Sequence, residues 1–324
     1  MGIVADEAVR QLVHTPAELV SEFVAWAEHN QADPGIKFGI PSVDQRVIPM
    51  RAGELVSFIA RPGHGKTSML AYLARTVGKR LMADPNDKRV VVYVTWEQSS
   101  EELTSFFLAD DTRSVSDVAW GRVDLDAIRA QAIKGVHMPV WVIGHGIGRA
   151  GEINVPRMTP EVVLKAIETM EQDHGRKPAL ILFDYLQLIP VAHGGDRMQQ
   201  VTEVPILVKE LALRVGAPAV VGVQARREVD DRPDKLPELR DAQWASSIEQ
   251  TCDKVFGMLR PTLYRQDFVQ LGDKELKVTE NLLLLRMLKQ RGDAGSYTWA
   301  LHFAPQYIQL TEMELRAATE DIPF

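Results

Sequence analysis

The chain has 324 residues, 45% hydrophobic and 25% charged, an ordinary globular composition with core enough for one large or two small domains. Its 37 basic against 44 acidic residues give a net charge of −7, so any nucleic-acid surface must be a local basic patch rather than a global field. The single cysteine, Cys252, excludes an internal disulfide and a cysteine-rich metal site and fits a reducing, cytoplasmic compartment, and no apolar run or leader pattern predicts membrane insertion or export.

Thr15-Pro16 opens an amphipathic helix over residues 16 to 28, whose apolar stripe of Leu19, Val20, Phe23, Val24, Trp26 and Ala27 either packs on its own domain or docks on a neighbouring subunit. A linker follows, so residues 1–37 read as helix and linker and 38–324 as the main domain. The run Glu54 to Ile59 predicts a buried strand, and Ser68 to Ala74 the start of a helix. Further strands are expected at Val90–Thr95, Pro139–Ile143, Ala179–Asp184 and Ala217–Val223, with helices from Ser100, over 124–134, over 160–174 and over 203–215. Such alternation predicts an α/β fold, a mainly parallel sheet flanked by helices with functional residues at the carboxyl ends of its strands. A glycine-rich loop is expected over 144–157 and a long polar loop over 225–247. Strands with hairpin-like connections follow at 254–259, 281–287 and 297–303.

Between the first strand and its helix lies Ala60-Arg61-Pro62-Gly63-His64-Gly65-Lys66-Thr67, a phosphate-binding loop in the context such a loop needs. Gly63 and Gly65 let backbone N–H groups face a polyphosphate, the helix N-terminus adds positive potential, Lys66 reaches the outer phosphates and Thr67 offers a hydroxyl to Mg²⁺. Arg61 through Ser68 form the candidate nucleotide-binding set. Ala60 replaces the first glycine of the pattern, so the chain must pass that position without a left-handed backbone. Asp184, ending a continuous apolar strand, is the candidate second metal ligand beside Thr67. Glu97, just past the adjacent strand, is placed to polarise an attacking water, and Gln224 ends another strand with an amide able to report the γ-phosphate.

Four sequence words occur in order: Ala60-Arg61-Pro62 before Gly65-Lys66-Thr67, Phe183-Asp184-Tyr185-Leu186-Gln187-Leu188, Ser247-Ile248-Glu249-Gln250 with Asp253, and Lys289-Gln290-Arg291-Gly292. Together they resemble the RecA-like motor domain of DnaB-type replicative helicases, from about Phe38 to Leu310, and the alanine at position 60 is typical of that family. The resemblance implies a RecA-like P-loop NTPase using ATP and Mg²⁺ and working as a homo-hexamer or other ring on single-stranded DNA. It implies that Lys66 and Thr67 clamp nucleotide, that Asp184 is the Walker B acid, and that Glu97 is the catalytic carboxylate. It implies that Gln224 is a sensor, and that Lys289 and Arg291 act in trans on the γ-phosphate of a neighbouring subunit. Nucleic acid would meet the loop from His193 to Arg197 and the loop carrying Arg226, Arg227 and Arg232. No N-terminal domain of the kind that engages primase is expected, so a primase contact is not inherited. The alternative function is a DNA-binding or scaffold ATPase that uses nucleotide to control assembly without unwinding.

Overall fold

Residues Leu55–Ala60 (β1) are buried at every position, as a strand covered on both faces must be. The computed structural model describes residues 13–110, 112–133, 138–144, 157–190, 197–272, 274–292 and 295–313. After β1 come β2 (Val90–Thr95), β3 (Val140–Ile143), β4 (Pro178–Asp184), β5 (Ala219–Gln224) and β6 (Lys254–Leu259). These six run parallel in the spatial order β3-β2-β4-β5-β1-β6. The chain then makes a separate hairpin of β7 (Phe268–Leu271) and β8 (Lys274–Lys277). It returns as β9 (Leu282–Gln290), β10 (Thr298–Ala304) and β11 (Gln309–Glu312), which extend the sheet antiparallel beyond β6.

The described helices are α1 (Pro16–Ala32), α2 (Pro41–Asp44), α3 (Lys66–Ala83), α4 (Ser100–Leu108), α5 (Val115–Ala119), α6 (Leu125–Ile133), α7 (Pro160–His174), α8 (Arg197–Val215) and α9 (Ala245–Thr251). Successive side chains of a strand point to opposite faces, and β1 shows how this builds two cores. Val56, Phe58 and Ala60 pack with Met69, Leu70, Leu73 and Val77 of α3. Leu55 and Ile59 pack instead with Val163 and Ile167 of α7 and with Val204, Val208 and Leu211 of α8. Ala60 pairs with Gln224, and Thr95 with Asp184, so the carboxyl ends of four parallel strands come level at one edge.

Helix α8 begins at Arg197, earlier than the expected Glu203. The helix carries Pro205 internally, which removes one backbone donor from its ladder. The polar loop after β5 is organised by 3-10 turns at Arg227–Asp231 and Leu239–Asp241 and ends at α9. Most of the glycine-rich stretch expected at 144–157 lies outside the described residues.

The chain divides into two compact units between Gly35 and Ile36. In the first, Thr15 and Glu18 form a reciprocal capping box at the start of α1, and Leu19, Val20, Phe23 and Trp26 of that helix are each more than half exposed. No helix among the described residues is long and apolar enough to cross a membrane.

Candidate functional site

Ala60 ends β1 in extended pairing, so no glycine is required there, and the left-handed backbone falls on Gly63 (φ 80°) and Gly65 (φ 90°). A side chain at Gly65 would also collide with Phe303, whose Cε1 lies 2.5 Å from the position of an added Cβ. Gly65 caps α3 without any side-chain acceptor, leaving N–H groups of its first turn for an anion. The Lys66 ammonium donates to the carbonyls of Ala60 at 3.1 Å and Arg61 at 3.2 Å, which holds the loop closed over the strand end. Burial pushes the Lys66 pKa down to about 8, against the pull of Asp184 and Glu97.

Two residues of the expected nucleotide-binding set turn their side chains elsewhere. His64 is 3% exposed, accepts the Arg260 backbone N–H at Nδ1 (2.9 Å) and is pushed by burial to a pKa of about 4, so its ring is neutral. Arg61 reaches Asp230 and the carbonyl of Ala225. Arg61 and His64 therefore bring backbone rather than cationic side chains to the loop.

On the opposite wall, the Thr67 hydroxyl donates to Asp184 Oδ1 at 3.2 Å and the Tyr93 hydroxyl to Oδ2 at 3.0 Å. Burial pushes the Asp184 carboxyl upward, partly opposed by those two hydrogen bonds. A divalent cation beside it would reverse that direction. The hard oxygens of Thr67 and Asp184 suit Mg²⁺, which commonly takes one or two protein ligands and completes its shell with phosphate and water. Tyr93 was not singled out from sequence, because a tyrosine inside the run Val90 to Thr95 reads as an ordinary strand former.

Pro62, Gly63, Gly65, Lys66, Thr67 and Ser68 line a cleft of about 510 Å³, joined by Glu97, Tyr185 and Gln224. Glu97 is exposed to the cleft, and the Gln224 backbone N–H is held by Gln187 Oε1 at 3.2 Å. Residues from three strand ends thus meet around one phosphate loop.

Residues 35–312 match the family described as the DnaB-like helicase C-terminal domain. The chain belongs to that family. Over 301 residues it is 26% identical to the replicative DNA helicase DnaC of Bacillus subtilis and to the replicative DNA helicase DnaB of Geobacillus stearothermophilus, covering 89% of this chain and 59% of each relative. The replicative DNA helicase DnaB of Rickettsia bellii is 28% identical over 241 residues, 71% of this chain and 46% of that protein. The chain thus spans about half the length of these relatives. The fold is shared with a solved structure of an isolated ATPase domain (TM-score 0.71, 18% identity, 93% of this chain and 100% of that one). It is also shared with a DnaB-like replicative helicase solved in a study of its interactions with primase (TM-score 0.70, 18% identity, 93% and 67%).

In this DnaB-like domain, Lys289 and Arg291 do not line the cleft of their own chain. The Lys289 ammonium donates to the carbonyls of Cys252 (2.6 Å) and Glu249, and burial lowers its pKa. Arg291 pairs with Asp253 Oδ1 at 3.1 Å and donates to the Gln250 carbonyl at 3.3 Å. Both cations therefore rest at the carboxyl end of α9, where free carbonyls and the helix dipole favour positive charge.

Arg226 and Arg227 are exposed and border a second cleft of about 560 Å³ with Gln243, Trp244, Ser246 and Ser247. Arg232 is turned inward, bonded to Asp241 at 2.8 Å, to Glu238 at 3.5 Å and to the Leu236 carbonyl. The expected contacts from His193 to Asp196, and the Arg197 side chain, lie outside the described residues. Gln243 and Trp244 were not singled out from sequence, since neither carries charge and nothing local marks them as facing the arginines.

Proposed function

We propose that this domain hydrolyses ATP with Mg²⁺ at the interface between neighbouring copies of a homo-hexamer or other ring. The ring uses that turnover to move along single-stranded DNA and open duplex. The observation that carries the reading is the convergence of Lys66, Thr67, Asp184, Glu97 and Gln224 around one cleft at the carboxyl edge of the parallel sheet. Residues 38–324 would be the motor, and 1–37 a helix and linker available to a neighbouring copy.

In this reading the Lys66 ammonium exchanges the Ala60 and Arg61 carbonyls for outer phosphate oxygens. Thr67 and Asp184 would hold Mg²⁺, which would supply positive charge to the phosphates. Glu97 orients the attacking water and takes its proton as the bond to the ADP oxygen breaks. Gln224 links phosphate occupancy to the segment that follows it. Lys289 and Arg291 reach the γ-phosphate of the next copy, and Arg226 and Arg227 neutralise strand phosphates. Arg197 would add to that grip, while Arg232 would support it through its loop.

Glu97→Gln should lower turnover by about 10²-fold or more while bound ATP and assembly are retained. Turnover close to wild type, measured by phosphate release, would assign the water to another residue. Lys66 predicts a pH effect of definite sign. Below pH 8 its ammonium is already formed and binding needs no extra proton, whereas above pH 8 a proton must be taken up. Triphosphate affinity should therefore fall above pH 8, by at most about tenfold per unit. In Lys66→Arg, whose charge persists, that fall should be absent. Equal slopes for the two proteins, in titrations with a fluorescent ATP analogue, would contradict this assignment.

The second reading is a DNA-binding or scaffold ATPase that uses nucleotide to control assembly without unwinding; Glu228, Asp230, Asp231 and Asp234 bring the charge around Arg226 and Arg227 close to balance, which weakens a strand contact there. Fork displacement separates the two. Strand opening at saturating protein, dependent on ATP, supports the motor. Turnover stimulated by single strands with forks left intact selects the assembly ATPase.

A further inference from the structure

Arg61 belongs to the phosphate loop, yet its guanidinium serves a different part of the chain. Nε donates to both carboxylate oxygens of Asp230 at 3.1 and 3.0 Å, Nη2 lies 2.8 Å from Oδ2, and Nη1 donates to the Ala225 carbonyl at 3.1 Å. Ala225 and Asp230 bracket the segment that carries Arg226 and Arg227. One rigid fork thus grips both ends of that segment. The pair is substantially shielded, with 16% of the Arg61 side chain and 34% of the Asp230 side chain exposed.

Asp230 is fixed from two further directions. The Tyr264 hydroxyl donates to Oδ1, and the Tyr264 ring lies 5.0 Å from the Lys235 ammonium, which donates to the Asp230 carbonyl at 2.6 Å. Tyr264 also packs against His64 of the phosphate loop, their ring centroids 5.4 Å apart. Burial works against ionisation of Asp230, but the bonds from Arg61 and Tyr264 hold its carboxyl below the ordinary range, so the pair is charged.

The same residue that grips Asp230 also feels the nucleotide position. The Arg61 carbonyl accepts the Lys66 ammonium at 3.2 Å, as does its neighbour Ala60 at 3.1 Å. Phosphate that draws Lys66 away removes a donor from both carbonyls at the root of the Arg61 side chain. Any resulting shift of Arg61 is delivered to Ala225 and Asp230 together.

We infer that Arg61 and Asp230 form a positioning link that transmits phosphate occupancy of the loop to the Arg226–Arg227 segment and so sets its grip on a polyanionic strand. The link rests on the proposed function above, and it runs beside the route through Gln224. Because such coupling is reciprocal, strand binding must change nucleotide affinity by the same factor.

The test measures affinity of the full chain for a fluorescent single-stranded oligonucleotide, with and without a non-hydrolysable ATP analogue and Mg²⁺. The ratio of the two affinities is the coupling. Wild type should show a ratio of about fivefold or more. Asp230→Asn should lower the ratio by about twofold or more, the remainder passing through Gln224, while nucleotide affinity without DNA stays within about twofold of wild type. Removing a negative charge near the arginines shifts both strand affinities alike, so a merely electrostatic or structural role leaves the ratio unchanged. Tyr264→Phe, which spares the Arg61 contact, should keep the wild-type ratio, and Asp230→Glu should restore part of it. A wild-type ratio in Asp230→Asn overturns the link and leaves the motor reading standing, as does loss of coupling in Tyr264→Phe with Arg61 and Asp230 intact. A wild-type chain whose strand affinity ignores nucleotide overturns the link and the reading beneath it together.

Discussion

Replacing Lys66 with alanine should lower nucleotide turnover by about 10³-fold or more while leaving the fold intact. The two halves of that expectation have different causes. The ammonium is held at a strand end by two carbonyls, in a place where burial already lowers its pKa to about 8, so the empty domain gains little from its charge. Its value appears only when phosphate oxygens occupy the loop and charge builds on them during bond cleavage. Thermal unfolding should move by a few degrees at most, and phosphate release should fall to background. Turnover near the wild-type rate would remove the phosphate loop from the chemistry altogether.

The second large effect is expected at Arg291. Alone, Arg291→Ala should lower turnover by about 10³-fold or more, the range found for cations supplied to a phosphoryl group from a neighbouring subunit. The geometry within one chain gives the reason for testing it by mixing. Arg291 lies on Asp253 and the Gln250 carbonyl and does not line its own cleft, so a role in hydrolysis requires another copy. Mixed with Lys66→Ala, each defective chain supplies what the other lacks. In an equal mixture about a quarter of the interfaces are then complete, and turnover should recover accordingly. No recovery at any ratio, with mixed assemblies confirmed by mass, would contradict a trans role.

The contrast between Lys66 and Arg61 shows which parts of the site were legible in sequence. A phosphate loop is a spacing imposed by backbone geometry, so Gly63, Gly65, Lys66 and Thr67 could be read from order alone. Asp184 was legible for a similar reason, since an acid closing the apolar run Ala179 to Phe183 must emerge at the carboxyl edge. Side-chain direction carries no such mark. That Arg61 points to Asp230 and His64 to the Arg260 backbone depends on residues about 170 and 196 positions later, which meet only once the sheet is assembled. Arg232 is the same case in miniature: an arginine in a polar loop reads as a phosphate contact until Asp241 is seen beside it.

The fold divides along the same line. Continuous apolar runs and helical periodicity marked the six parallel strands and most helices, because most of those elements pack at least one face on the sheet core; α1 shows the same pattern with its apolar stripe exposed. Strands β7, β8 and β11 are short and largely exposed, and their pairing depends on neighbours rather than on any internal pattern. Tyr93 escaped notice for the opposite reason. Full burial makes it look like core, and only the position of Asp184 opposite reveals what its hydroxyl holds.

The most direct measurement is a structure of the assembled protein with a non-hydrolysable ATP analogue, Mg²⁺ and a single-stranded oligonucleotide. The account predicts a γ-phosphate within hydrogen-bond reach of Lys66 from one copy and Arg291 from the next, with Arg291 released from Asp253. Triphosphate lodged away from the Gly63–Thr67 loop, or Arg291 still paired with Asp253 in every copy and remote from any phosphate, would contradict it.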